Sequence, residues 1–203
     1  MSELRVALTF DAEHPDRSQC PPGTQDAILD ALDEAELRAT FFLQGRWVTA
    51  YPAVARRVVA QGHLIGSHSD YHCRMPLFTD DGLRADVTGA EHTIEDVVGV
   101  DPRPWFRCPF GEGHDDPRVL SLLGDLGYRN VHWDVDGADW DDDRMASDVE
   151  RAIVDESLAA AGDVIVLLHT WPGPTLAALP SIVRRLRDAG AALVTVDEVM
   201  DGR

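Results

Sequence analysis

Short runs of consecutive apolar residues alternate along this chain with longer segments whose apolar positions recur at helical spacing. Leu4–Phe10 reads as a strand that runs into an acidic loop. Thr24 is placed to cap a helix through about Glu36, with Ile28, Leu29, Leu32 and Leu37 near helical spacing. Ala39–Leu43 is the next strand. Pro52 opens a helix through Val58 and Val59 that Gly62 stops, and His63–Gly66 forms a brief strand. Farther along, Thr79–Val98, Pro117–Leu126, about Ala146–Leu158 and Leu176–Asp188 read as helices. Trp105–Arg107, Asn130–Trp133, Val164–Leu168 and Ala192–Val196 are the strands between and after them. Strands alternating with helices argue for a parallel sheet with helical crossovers. Their nearly unbroken apolar character argues that both faces of the sheet are covered. No repeat, low-complexity tract or linker divides the chain, so one α/β domain over residues 1–203 is expected.

Composition narrows the function more than the fold. A hydrophobic fraction of 44% and 203 residues suit an ordinary domain with a substantial core. Asp and Glu total 36 against 18 basic residues, a net charge of -18, and every basic residue is Arg. Such a field repels phosphate backbones and anionic headgroups, so nucleic acid is not expected as a partner. The absence of Lys removes Schiff-base chemistry and any Walker-type phosphate lysine. Cys20, Cys73 and Cys108 are widely spaced and form neither a disulfide framework nor a cysteine zinc site. The opening residues turn polar too soon for a signal peptide and no apolar run approaches membrane-spanning length, so no membrane insertion and a cytoplasmic location are expected. Oligomeric state has no signature here.

The conspicuous polar residues sit at or just after the ends of predicted strands. Asp11 and Glu13 follow the first, His68 and His72 the third, and Arg107 ends the fourth. Asp136, Asp139 and Trp140 follow the fifth, and His169 the sixth. In a parallel α/β barrel the strand C-termini share one face, so these groups could converge on one pocket. His68 and His72 are four residues apart, a spacing that on a helical turn puts both imidazoles on one face within reach of a divalent ion. Two surface histidines, a structural turn at Arg107–Gly111 and a packed histidine at position 169 are the plainer alternatives for each segment alone.

Together the segments resemble the polysaccharide deacetylases of carbohydrate esterase family 4, which share the NodB homology domain. The resemblance runs from about Leu4 to Val199. It rests on five motifs in the family's order: Thr9-Phe10-Asp11, His68-Ser69-Asp70-Tyr71-His72, Arg107-Cys108-Pro109-Phe110-Gly111, Asp136-Gly137-Ala138-Asp139-Trp140 and Leu168-His169. It implies a distorted (β/α) barrel of about seven parallel strands with outer helices. It also implies a hydrolase that removes N-acetyl groups from an amino sugar or related small amide. In that scheme Asp11 is the base, held by Arg107, and His169 is the acid, held by Asp139. His68 and His72 bind a divalent metal. Pro109, Phe110, Trp140 and Leu168 contact substrate, the last two lining the pocket floor.

One departure stands out. The family's first motif has two consecutive aspartates, the second a metal ligand, and here that position is Ala12. Glu13 is expected to take its place, its longer side chain and a local bulge making up the offset, with His14 as the alternative. Two imidazoles and a carboxylate suit zinc first, and also cobalt, manganese, nickel or iron. The competing readings are an amidase of cyclic amides, as in allantoinase- or imidase-like relatives, and a sugar-binding relative with a degraded metal site. An iron oxygenase would share the ligand set, but the chain shows no oxoacid-binding signature.

Overall fold

A computed structural model describes residues 4–14 and 20–201; residues 1–3, 15–19 and 202–203 of the expected domain lie outside it. Along the chain run β1 (Arg5–Ala12), α1 (Thr24–Glu34), β2 (Thr40–Leu43), α2 (Gly45–Ala50), α3 (Pro52–Ala60), β3 (Leu64–Ser67) and α4 (Asp80–Val98). They are followed by β4 (Trp105–Phe106), α5 (Pro117–Asp125), β5 (Arg129–Asn130), β6 (Val135–Asp136) and α6 (Ala146–Ala159). Last come β7 (Val164–His169), α7 (Gly173–Asp188), β8 (Ala192–Val194) and α8 (Val196–Met200). The strands are ordered β5-β4-β3-β2-β1-β7-β6, with β8 alongside β1, and every pairing is parallel. This is the distorted barrel with outer helices that the sequence leads one to expect.

Where one strand was expected at Asn130–Trp133, two fragments lie at opposite edges of the sheet. Val131 donates its amide to Phe106 of β4 at 2.7 Å, and three residues later Asp134 donates to Ile165 of β7 at 2.8 Å. The segment leaves one edge of the sheet and crosses to the other, which leaves too few residues on either side for a longer strand. β8 ends at Val194 because Thr195 caps α8. It pairs only with Arg5–Ala7 of β1, below the point where β2 begins pairing at Thr9.

Period-two alternation sorts the strands into an outer and an inner face. In β1, Val6, Leu8, Phe10 and Ala12 join the main apolar cluster beneath the helices. In β7, Val164, Val166 and Leu168 do the same. That cluster draws Ile28, Leu29 and Leu32 from α1 and Ala178, Leu179, Ile182, Val183 and Leu186 from α7. Residues of the opposite parity are left to the barrel interior. Thr24 is the first helical residue of α1 and not its cap: Gly23 takes the cap position at a left-handed φ of 86°.

Candidate active site

Asp11 and Glu13 lie two residues apart at the end of β1, so the strand aims both inward and turns Ala12 out to the core. β1 and β2 pair one to one through Ala12–Leu43, so the expected bulge is not needed to bring Glu13 round. The His68–His72 segment is not helical, contrary to the expected helical turn. It is a loop after β3 in which Ser69 and His72 adopt left-handed φ of 62° and 55°. That path brings the two rings to a centroid separation of 4.9 Å. His68 Nε2 lies 3.3 Å from Glu13 Oε2, and His72 Nε2 contacts the same oxygen. The donor atoms of Glu13, His68 and His72 all fall within 4.8 Å of one another, and all three side chains are buried.

These residues fit a divalent cation. The Arg107 carbonyl lies 2.9 Å from His68 Nδ1, which fixes the proton there and leaves the Nε2 lone pair facing the cluster. That Nε2 is buried and, among the described residues, has no hydrogen-bond partner; Glu13 and Asp11 lie near it, the latter at 3.5 Å. Burial opposes ionisation of Glu13, but the imidazoles of His14, His68 and His72 outweigh it and hold the carboxyl well below its usual range. Burial also pushes His72 down to about 4, so it is a neutral imidazole. His68 is held above its ordinary value, because Asp11 and Glu13 outweigh the burial that lowers it. A charged acid, a neutral ring and an excess of negative charge are what a cation requires. His14 stays outside the ligand group and contacts Glu13 Oε1 at 3.0 Å.

Beside the cluster, Arg107 is completely buried. It donates from one terminal nitrogen to Asp11 Oδ1 at 2.9 Å and to Thr9 Oγ1 at 2.7 Å, and from Nε to the Val131 carbonyl at 3.1 Å. Its guanidinium rests 4.1 Å from the Phe42 ring centroid. Gly66 makes that ring position possible, since a Cβ there would meet Phe42 at 2.6 Å. Burial lowers the Arg107 pKa, and the carboxylate of Asp11 opposes it.

Across the cavity, His169 Nδ1 meets Asp139 Oδ1 at 2.7 Å, while Asp139 Oδ2 accepts from the His169 amide at 2.8 Å and the Thr175 hydroxyl at 2.5 Å. Burial would lower the pKa of His169, but Asp139 dominates and raises it to about 9. Its Nε2 points back to Glu13 Oε1 at 3.8 Å.

The cavity between these groups has a volume of about 330 Å³. Phe110 and Trp140 line it and are half exposed at its rim. Phe110 is held there by a left-handed φ of 58° and packs 4.5 Å from His72. Two expected contacts do not line it. Pro109 is buried in the short 3-10 turn before Gly111, and Leu168 faces the outer core. Strand parity puts Leu167, the neighbour of Leu168, on the cavity wall instead. Asp136, one of the conspicuous strand-end residues, lines the cavity as expected, and Trp133 and Trp171 line it without having been expected there. Trp171 stands just beyond the fifth motif, whereas Trp133 reaches the cavity only through the crossing of residues 131–134. Thr9, which supports Arg107, stands in the first motif with no role assigned to it there, and Thr175, which supports Asp139, carries no signal in the sequence.

Residues 1–131 match the polysaccharide deacetylase family, a span that includes the first three motifs and ends before Asp139 and His169. A chitooligosaccharide deacetylase of Azorhizobium caulinodans is 28% identical over 95% of this chain and 92% of its own length. Among solved structures, the T48 deacetylase with substrate superposes with a TM-score of 0.83 at 34% identity, covering 98% of this chain and 92% of the other. A CE4 family pseudoenzyme of Bacillus anthracis gives 0.85 at 25% identity, over 97% of this chain and 65% of the other.

Proposed function

Because the chain belongs to the polysaccharide deacetylase family, we propose that it hydrolyses the N-acetyl amide of an amino sugar within a glycan or oligosaccharide. The observation that carries this reading is the placement of a buried Glu13–His68–His72 cluster between two differently tuned pairs, Asp11–Arg107 and Asp139–His169, around one cavity. A divalent cation held by Glu13, His68 and His72 would lower the pKa of water and stabilise negative charge on the carbonyl oxygen. Zinc suits this donor set first.

The remaining work falls to the chain's own side chains. Asp11, oriented by Arg107, accepts the proton of the attacking water. His169 enters the reaction protonated, its Nδ1–H committed to Asp139, and delivers the Nε2 proton to the departing nitrogen. Amide cleavage needs that proton because an unprotonated amine is a poor leaving group. Phe110 and Trp140 offer apolar faces to a sugar ring at the rim, and Leu167, Trp133 and Trp171 exclude water from the interior.

The test is acetate release from N-acetylglucosamine oligomers by zinc-loaded protein, with bound metal measured in parallel. Turnover with about one ion per chain, and loss of both in Glu13→Ala, is the expected result. Hydantoin ring opening without acetate release would replace this reading with that of a cyclic amidase. Oligomer binding without turnover at any metal loading would replace it with that of a non-catalytic relative.

A further inference from the structure

On α4 the buried face reads Leu83, Asp86, Val87, Ala90, Glu91 and Ile94, a helical stripe that contains two carboxylates. Glu91 is explained by Tyr128, whose hydroxyl donates to it at 3.1 Å. Asp86 has a different set of partners, all in the loop that carries the two histidines. Its Oδ2 accepts the Asp70 amide at 3.2 Å, its Oδ1 accepts the Tyr71 amide at 3.1 Å, and it also bonds the Ser69 side chain. Ser69 Oγ in turn accepts the His72 amide at 2.9 Å.

The carbonyls of the same loop are held from the other side. Gly45 donates to Ser69 at 3.0 Å and Arg46 to Asp70 at 3.3 Å, both from the start of α2. The loop needs such a clamp, because two of its five residues are non-glycine residues in the left-handed region, a conformation that costs roughly 1 kcal/mol or more at each. Asp86 supplies the acceptors for the consecutive amides exposed by that path, which no strand or helix satisfies.

We infer that Asp86 is a positioning residue for the metal site: it holds the Ser69–Tyr71 turn so that His72 meets Glu13 and His68. The inference rests on the reading of Glu13, His68 and His72 as metal ligands. Asp86 touches neither the ligand atoms nor the cavity, so its influence is transmitted through the backbone of the loop.

Zinc affinity of the apo protein, measured by competition with a chromophoric chelator, tests this in the wild type, Asp86→Ala, Asp86→Asn and Glu91→Ala, with apo thermal unfolding recorded for each. Asp86→Ala is expected to weaken zinc binding about 10–100-fold, the range typical of groups that support metal ligands. Asp86→Asn keeps one acceptor oxygen and recovers part of the loss. Glu91→Ala strands the Tyr128 hydroxyl and lowers the unfolding temperature, yet leaves zinc affinity unchanged. Wild-type affinity in a folded Asp86 variant, or equal weakening in Glu91→Ala, overturns the positioning role while the metal site stands. If Asp86→Ala does not fold, Asp86→Asn decides by the same criterion. A wild-type protein that binds no zinc removes the metal site and the positioning role together.

Discussion

Replacing Arg107 with Met removes a guanidinium that no water reaches and leaves the Asp11 carboxylate, itself 3% exposed, without its counter-charge. At the observed 2.9 Å and an effective dielectric of about 20, Coulomb's law gives about 6 kcal/mol of attraction. Spreading each charge over its group reduces this, and losing one partner of a buried pair costs about 3–5 kcal/mol. Met fills much of the volume beside Phe42, so the loss is electrostatic and not a cavity effect. Urea unfolding of metal-free protein at neutral pH measures it directly. Asp11→Asn leaves the opposite charge stranded, partly relieved by Thr9, the Val131 carbonyl and the Phe42 ring. Combining both changes leaves neither charge, so the double variant should fall short of the summed losses by about 0.5–3 kcal/mol. Additivity within about 0.5 kcal/mol would show that the two groups are not coupled, and the account of Asp11 as a base held by Arg107 would then be wrong.

Two further outcomes follow from the tuned histidines. His169 carries its proton up to about 9 because of Asp139, so the rate should fall as pH rises through that value; Asp139→Asn should move this alkaline limb down by at least about one unit, and an unmoved limb would take His169 out of the acid role. His63 is buried, accepts the Ala39 amide on Nδ1 at 3.1 Å, and has its pKa pushed down to about 4 by burial and the nearby Arg38. Its folded value lies below its unfolded value, so the stability it contributes is present above about 6.5 and is lost as pH falls toward 4. Between pH 7 and 5 the wild type should lose roughly 1–2 kcal/mol more than His63→Gln in urea unfolding, and equal losses would contradict the buried neutral ring.

The alternation of apolar runs and helical stripes is enough to read the parallel sheet and six of the eight helices among the described residues, because local periodicity reports which face of an element is buried. α2 and α8 do not show in the pattern, since their six and five residues are too few for a period to emerge. The motif residues could be assigned to one face because parallel strands end together. Strand parity, also present in the sequence, accounts for Glu13 facing the cavity where Ala12 faces the core, and for Leu167 lining the cavity in place of Leu168.

Other features depend on contacts between distant segments. The crossing of residues 131–134 is set by the backbone bonds of Val131 to β4 and Asp134 to β7, and it brings Trp133 to the cavity. The loop bearing His68 and His72 takes its non-helical path because Asp86 on α4 and the amides of α2 complete its hydrogen bonds, and their partners lie 15 or more residues away in sequence. The raised pKa of His169 likewise needs Asp139, 30 residues earlier, to reach its ring. Sequence alone therefore determined which chemical groups are available and which strand ends carry them. Folding decided their charge states and orientations, because desolvation and hydrogen-bond geometry exist only once those segments are packed together.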